Sequence, residues 1–150
     1  MPPKTESSTD PIKVFNLFWE TSHVFINATD RYLKKSLGLS AGKFVVLMVL
    51  FYSGGTMTSA KLAARTGTRP HNITALIRRL KQQGFVTTAR GTEDNRFVFI
   101  TLTPKGSKLM EGAMPDMREF VHRTMSSIKK TELAALFGTL NKIEKNMKKK

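Results

Sequence analysis

The sequence predicts a mainly α-helical fold with one small β element. Apolar residues recur at helical spacing along most of the 150 residues, and capping residues and glycines punctuate that pattern at short intervals. Residues 85–90 and 97–102 are rich in β-branched and aromatic side chains, and the turn-forming stretch GTEDN lies between them, so they read as a hairpin.

Taken in order, residues 1–10 (MPPKTESSTD) have little to bury and are expected to form a disordered tail. Pro11 opens a long helix to residue 37. Ile12, Phe15, Phe18, Trp19, His23, Phe25, Ile26, Tyr32, Leu33 and Leu37 give it more apolar surface than one small domain needs on a first helix, so a second copy of the chain is expected to cover it. Ser40 caps a second helix over residues 41–53, whose FVVLMVLF run is apolar nearly all round and therefore central; Gly54 and Gly55 end it. Thr58 caps a short helix over residues 59–66 with Leu62 and Ala63 facing inward. Lys61 stands where Glu or Gln would complete a capping box.

Gly67 then turns the chain into TRPHNITALIRRLKQQG, residues 68–84, around which the rest is organised. At roughly 100° per residue from Ile73, the side chains of Leu76, Ile77 and Leu80 fall within about 60° of it and form the stripe to be buried. His71, Ala75 and Arg78 fall opposite, with Thr74 and Arg79 flanking them and Asn72 beside Arg79. That face offers the amide, hydroxyl, imidazole and guanidinium groups that read base edges and phosphates. Thr68 is placed to cap the helix, Pro70 to occupy its first turn and Gly84 to close it. A short helix, a tight glycine turn and a second helix with a polar outer face make a helix-turn-helix, and a hairpin directly after it makes a wing. Arg90 and Arg96 stand at the base of the wing loop, placed for phosphate or the minor groove.

Composition points the same way. The formal net charge is +14. From Arg31 to Thr92 there is no Asp or Glu, whereas Lys43, Lys61, Arg65, Arg69, Arg78, Arg79, Lys81 and Arg90 all lie in that span. A stretch of one charge sign is the electrostatic footprint of a polyanion-binding surface. The absence of cysteine excludes disulfides and thiolate metal ligands. The three histidines, His23, His71 and His122, are scattered, and H-E-x-x-H, phosphate-loop and serine-elbow motifs are missing, so catalysis, a metal and a cofactor are not expected. The longest apolar run, residues 44–52, is too short to span a bilayer, and the opening residues lack a signal peptide's hydrophobic core, so a cytoplasmic protein is expected.

These residues also carry a resemblance. LGLSAGKFVVLMVL, MTSAKLAARTGTRPHNITALIRRLKQQGFV, DNRFVFITLTPKG and an apolar C-terminal helix, in that order, resemble the MarR (multiple antibiotic resistance regulator) family of transcription regulators over about three quarters of the chain. The most specific part is Asp94, Arg96, Leu102, Thr103 and Gly106. The resemblance implies that Arg96 is the wing-tip arginine and Asp94 the acid that orders the wing; the family usually has a second arginine where this chain has Asn95, and often a Glu where it has Lys61. It further implies a small aromatic or lipophilic effector, held between the dimer helices and the winged lobe. Phe15, Trp19, His23 and Phe44 are candidate lining for such a cavity, although an aromatic stripe at helical spacing is more often core.

After the hairpin, Thr103 and Pro104 start a helix with Leu109, Met110, Ala113, Met114, Met117, Phe120 and Val121 as apolar positions and Pro115 as a kink. Thr131 is expected to cap the last helix, where Leu133, Leu136, Phe137, Leu140, Ile143 and Met147 alternate at steps of three and four, as in helices packing side by side. The expected organisation is therefore a tail (1–10), an N-terminal dimerisation helix (11–37), a winged helix-turn-helix lobe (38–103), and C-terminal dimerisation helices with a basic tail (104–150).

The expected function is a homodimeric, sequence-specific regulator of transcription, acting as a repressor on an inverted repeat in double-stranded DNA. Thr68, Arg69, Pro70, His71, Asn72, Thr74, Ala75, Arg78 and Arg79 on the reading helix and Arg90, Asp94 and Arg96 on the wing form the expected DNA surface. An architectural, sequence-tolerant DNA-binding protein without a ligand response is the alternative, and a winged helix reused for protein interaction or catalysis is a third reading.

Overall fold

The computed structural model describes residues 9–92 and 96–149. Helix α1, Pro11–Leu37, starts as its proline requires, with Asp10 accepting a hydrogen bond from Ile12 N at 3.0 Å, and stops at Gly38, whose φ of 67° only glycine adopts at low cost. Of the expected tail, only Thr9 and Asp10 are among the described residues. Helix α2, Ala41–Tyr52, is capped by Ser40 and contributes Phe44, Val46, Leu47 and Leu50 to the core, so the continuous apolar run is indeed central.

Asp30 ties these two helices together. Its Oδ1 accepts from the first backbone N–H of α2, Ala41 N, at 2.8 Å, and its Oδ2 pairs with Lys34 at 2.7 Å. The Lys34 hydrogen bond, followed by the Ala41 N–H, holds the Asp30 carboxyl below the usual carboxylate range.

After α2 the chain forms strand β1, Thr56–Thr58, helix α3, Ser59–Thr66, helix α4, Pro70–Gln82, and strands β2, Val86–Arg90, and β3, Val98–Leu102. The sheet order is β1-β3-β2, antiparallel throughout, with Met57 opposite Ile100 and Thr88 opposite Ile100 on the other side. The hairpin of β2 and β3 forms as its sequence predicts, whereas β1 carries no such signal. A strand of three residues, TMT, shows too little alternation to be recognised and exists only because β3 offers it an edge. Between β1 and β3, Thr56 Oγ1 also donates to Thr101 Oγ1 at 3.1 Å.

Helix α5, Pro104–Thr124, is started by Thr103, whose Oγ1 accepts from Gly106 N at 3.1 Å and donates to Gly84 O at 2.7 Å. It runs through Pro115 without ending there. Helix α6 spans Lys130–Lys148. Thr131 does not cap it. The N-cap position is Lys129, whose N–H donates to Glu132 Oε2 at 2.8 Å, so a carboxylate three residues on satisfies the end that a hydroxyl was expected to satisfy.

The chain divides into two compact units within α5, at Met110 and Glu111. The first has a continuous core built from Leu33, Leu39, Leu47, Leu50, Leu62, Ile73, Leu80, Val86, Ile100 and Met110, all at most 1 % exposed. In the second, no residue of α6 is buried, and Phe137 and Met147 stand 71 % and 74 % exposed. The first half of α1 is equally bare, with Ile12, Leu17 and Val24 each about two-thirds exposed or more. Among the described residues no single helix is long and apolar enough to cross a membrane.

Candidate nucleic-acid interface

The reading surface is built from α3, the turn at Gly67 and α4. Gly67 adopts φ 63°, its N–H bonds back to Ala64 O, and Thr68 N donates to Ala63 O at 3.0 Å, which folds the chain over tightly enough to cross one helix in front of the other. Helix α4 then buries Ile73, Ile77 and Leu80 at 1 %, 7 % and 0 % exposure. Leu76, expected in the same stripe, is half-buried; its methyls lie 3.5 Å from where a Cβ on Gly42 would stand, so it seals the edge of the contact with α2. Burying the stripe leaves the opposite face no choice: His71, Asn72, Thr74, Arg78 and Arg79 are exposed and Ala75 is half-exposed.

The start of α4 differs in one detail from the sequence reading. Its N-cap is Arg69, and no side chain caps it; Thr68 lies one residue too early and is held in the glycine turn instead. Pro70 does occupy the first turn, so one of the amides that a cap would satisfy is absent by construction. The uncapped N–H groups at this end stay open toward solvent, where an oxyanion can take them. At the other end Gly84, at φ 77°, lets Phe85 N reach Leu80 O at 3.0 Å and sends the chain into β2.

Three lysines hold this end in place: Lys43 and Lys81, read in the sequence only as part of the basic span, and Lys105, which no local signal marks. Lys43 Nζ donates to Gln83 Oε1 at 2.9 Å, Lys105 Nζ to Gln83 O at 2.7 Å, and Lys81 Nζ to Thr88 Oγ1 at 2.9 Å. Lys105 also sits 5.0 Å from the centre of the Phe85 ring. Cations at a helix C-terminus are electrostatically favoured, and these come from α2, α4 and α5, so the last turn of α4 is anchored from several sides. No local pattern marks them, because each partner is distant in sequence or lies across the turn.

The hairpin completes the surface. Arg90, the last residue of β2, and Arg96 are both exposed. A cleft of about 680 Å³ lies between the start of α3, the start of α4 and the hairpin, and Thr68, Pro70, Thr74 and Arg96 all line it. Residues far apart in the chain, placed separately on a helix and a wing, thus share one concavity. Asp94, Glu93 and Asn95 lie outside the described residues. Among the described residues Arg69, Arg78, Arg79 and Arg90 have no carboxylate partner; the ion pairs found, Asp30 with Lys34 and Glu144 with Lys148, are elsewhere.

The expected effector-lining residues do not form one set. Phe44 is 2 % exposed and belongs to the core together with Val46, Leu47 and Leu50 of the same helix. Phe15, Trp19 and His23 form an exposed stack along α1, with ring centres 6.3 Å and 4.9 Å apart and the His23 ring Nδ1 2.9 Å from Trp19 O.

Fold and surface together define a winged helix-turn-helix protein. Over residues 29–113 the chain matches the family model of the transcriptional regulators SarA/Rot. It is 38 % identical over 79 residues to the HTH-type transcriptional repressor YetL of Bacillus subtilis, a match that covers 52 % of this chain and 47 % of that one. The chain spans about half the length of the first curated relatives it matches. Among solved structures it resembles the organohalide-sensing regulator RdhR in its 2,4-dichlorophenol-bound form, with a TM-score of 0.82 and 27 % identity over 97 % of this chain and 86 % of that one. AbsC, a MarR family regulator from Streptomyces coelicolor, shares the fold at a TM-score of 0.86 and 20 % identity, covering 95 % and 97 % of the two chains. The chain belongs to the SarA/Rot family of transcriptional regulators, and its fold is the MarR-type winged helix that the sequence resemblance implied.

Proposed function

We propose that this chain is a sequence-specific, double-stranded DNA-binding transcriptional regulator that acts as a homodimer on an inverted repeat and represses. The observation that carries the reading is the outward face of α4, where His71, Asn72, Thr74, Arg78 and Arg79 stand exposed on a helix whose back is in the core. Such a helix fits the major groove, with Arg and Asn side chains long enough to reach purine edges. Arg69 and the open N–H groups at the start of α4 take flanking phosphates, and Arg90 and Arg96 reach the backbone or the minor groove beside it. The family supports the assignment to transcription; repression is also the role named for YetL.

Dimerisation is supported by what each unit leaves uncovered. The bare apolar half of α1 and the unburied α6 are more hydrophobic surface than a monomer ordinarily leaves in water. A two-fold pair presents two copies of α4 about one helical turn apart, which requires an inverted repeat. An aromatic effector is supported by the 2,4-dichlorophenol bound to RdhR and by the Phe15, Trp19 and His23 stack, which joins a dimer cavity only if the second copy closes over it. It acts by favouring one spacing of the reading helices over another.

Selecting bound duplexes from a random pool with the purified chain tests the central claim. A regulator enriches a palindrome; unselective recovery would make the chain an architectural DNA binder, and no recovery would remove DNA from its function.

A further inference from the structure

On the far side of α3 from the reading surface lies a second cleft, of about 390 Å³, lined among others by Ser53, Met57, Thr58, Lys61, Arg65 and Phe99. Helix α3 separates it from the larger cleft beside α4. Ala60, Ala63 and Ala64 face that larger cleft, whereas Lys61 and Arg65, one turn apart, face this one. None of the residues named above as the expected DNA surface lines it, although Lys61 and Arg65 belong to the basic span.

Its chemistry is that of an anion site with a flat wall. Arg65 Nη1 donates to Ser53 Oγ at 2.6 Å, which fixes the guanidinium over the cleft and leaves its other N–H donors to be used. Among the described residues the Lys61 ammonium has no acceptor, and no carboxylate lines the cleft. Two cations on successive turns of one helix face, with no carboxylate in the lining, favour a doubly charged oxyanion over a single carboxylate. The volume is several times what an inorganic oxyanion fills, and the remainder is bounded by Met57, 7 % exposed, and by Phe99, 38 % exposed on β3. Exposed aromatic rings on a sheet stack planar heterocycles.

We propose that this cleft binds a phosphate carrying a planar ring, as a mononucleotide does, with the phosphate on Lys61 and Arg65 and the ring on Phe99. A phosphate of this kind has two sources, a free mononucleotide and the backbone of duplex lying beyond the reading helix. A duplex offers the phosphate but keeps its bases stacked, so only the free ligand engages Phe99.

The test is amide NMR on the full chain, titrated to millimolar concentration with adenosine monophosphate, inorganic phosphate and adenosine in turn. Saturable shifts confined to residues 58–65 and to Phe99 and its strand neighbours are expected with adenosine monophosphate, weaker ones with phosphate and none with adenosine. Lys61→Ala and Arg65→Ala should each weaken the monophosphate at least tenfold, and Phe99→Leu should reduce it to the strength of inorganic phosphate, with circular dichroism showing each variant folded. In parallel, affinity for a mixed-sequence duplex is followed against salt. A slope lowered by about one in Lys61→Ala with no saturable monophosphate shift assigns the cleft to duplex phosphate and overturns the proposal; a saturable monophosphate shift beside an unchanged slope supports it. No saturable shift together with an unchanged slope overturns the proposal. The NMR arm contains no DNA, so a failure of the DNA-binding reading leaves it standing.

Discussion

At the scale of single residues, the reading face and its support make separable predictions. Arg78 is exposed on α4 and has no carboxylate partner among the described residues, so its guanidinium is unengaged before DNA arrives. Arg78→Ala should weaken the selected duplex by about 1–3 kcal/mol while leaving thermal stability unchanged, measured by fluorescence anisotropy and a melting curve. Gly106 makes the opposite prediction. A Cβ there would lie 2.4 Å from Phe85 O and 2.7 Å from Leu102 Cδ1, and a backbone carbonyl cannot move aside as a flexible side chain can. Gly106→Ala should cost about 1–3 kcal/mol of stability, read as a lower midpoint in urea denaturation; an unchanged midpoint would mean that β2 and α5 shift apart without loss. The glycine of the L-T-x-x-G pattern is thus a packing requirement, legible in the sequence as a motif but not as a reason.

At the scale of elements, one carboxylate bridges α1 to the start of α2. Asp30 is held below the ordinary carboxylate range, chiefly by Lys34 and then by Ala41 N–H, so the folded state binds a proton there less readily than the unfolded chain does. The resulting stability is present above the unfolded value, about 3.9, and is lost as pH falls below it toward the folded one. Asp30→Asn keeps an acceptor for Ala41 N but cannot titrate. The melting temperature of the wild type should therefore fall more steeply below about pH 4 than that of the variant, and parallel curves would remove Asp30 from the account. Most element boundaries were legible because caps and glycines are local signals: Ser40, Thr58 and Gly67 act where they were expected to. Thr68 and Thr131 were misread for the same local reason. A hydroxyl near a helix start is only one way to satisfy its N–H groups, and here Pro70 removes a donor while Glu132 supplies the acceptor. Strand β1 was invisible because its pairing partner lies more than forty residues away, Thr56 opposite Thr101.

At the scale of the whole molecule, the net charge of +14 and the bare apolar surface of α1 and α6 bear on the proposed association with DNA and with a second copy. DNA affinity should fall steeply between about 50 and 200 mM salt, because each phosphate neutralised releases counterions; a flat response in the anisotropy titration would contradict the electrostatic part of the proposal. Phe137, 71 % exposed on α6, should matter to assembly and little to the fold of either unit. Phe137→Glu should shift the chain toward monomer in sedimentation and, by removing the second reading helix, reduce operator affinity far more than the roughly 1–3 kcal/mol of a single base contact.

The sequence by itself determined the helical class, the helix-turn-helix with its wing, and the sign of the charge facing outward, because caps, glycine turns and a stripe of apolar residues act over a few positions and need no partner to be read. Only the tertiary structure decided that Phe44 is core while Phe15 and Trp19 are bare, that Lys43 and Lys105 converge on the end of α4, and that Lys61 and Arg65 close on a cleft walled by Phe99. Those outcomes depend on which distant segments meet. An apolar or cationic side chain has the same local preferences whether it is buried, exposed or paired, and packing alone chooses among them.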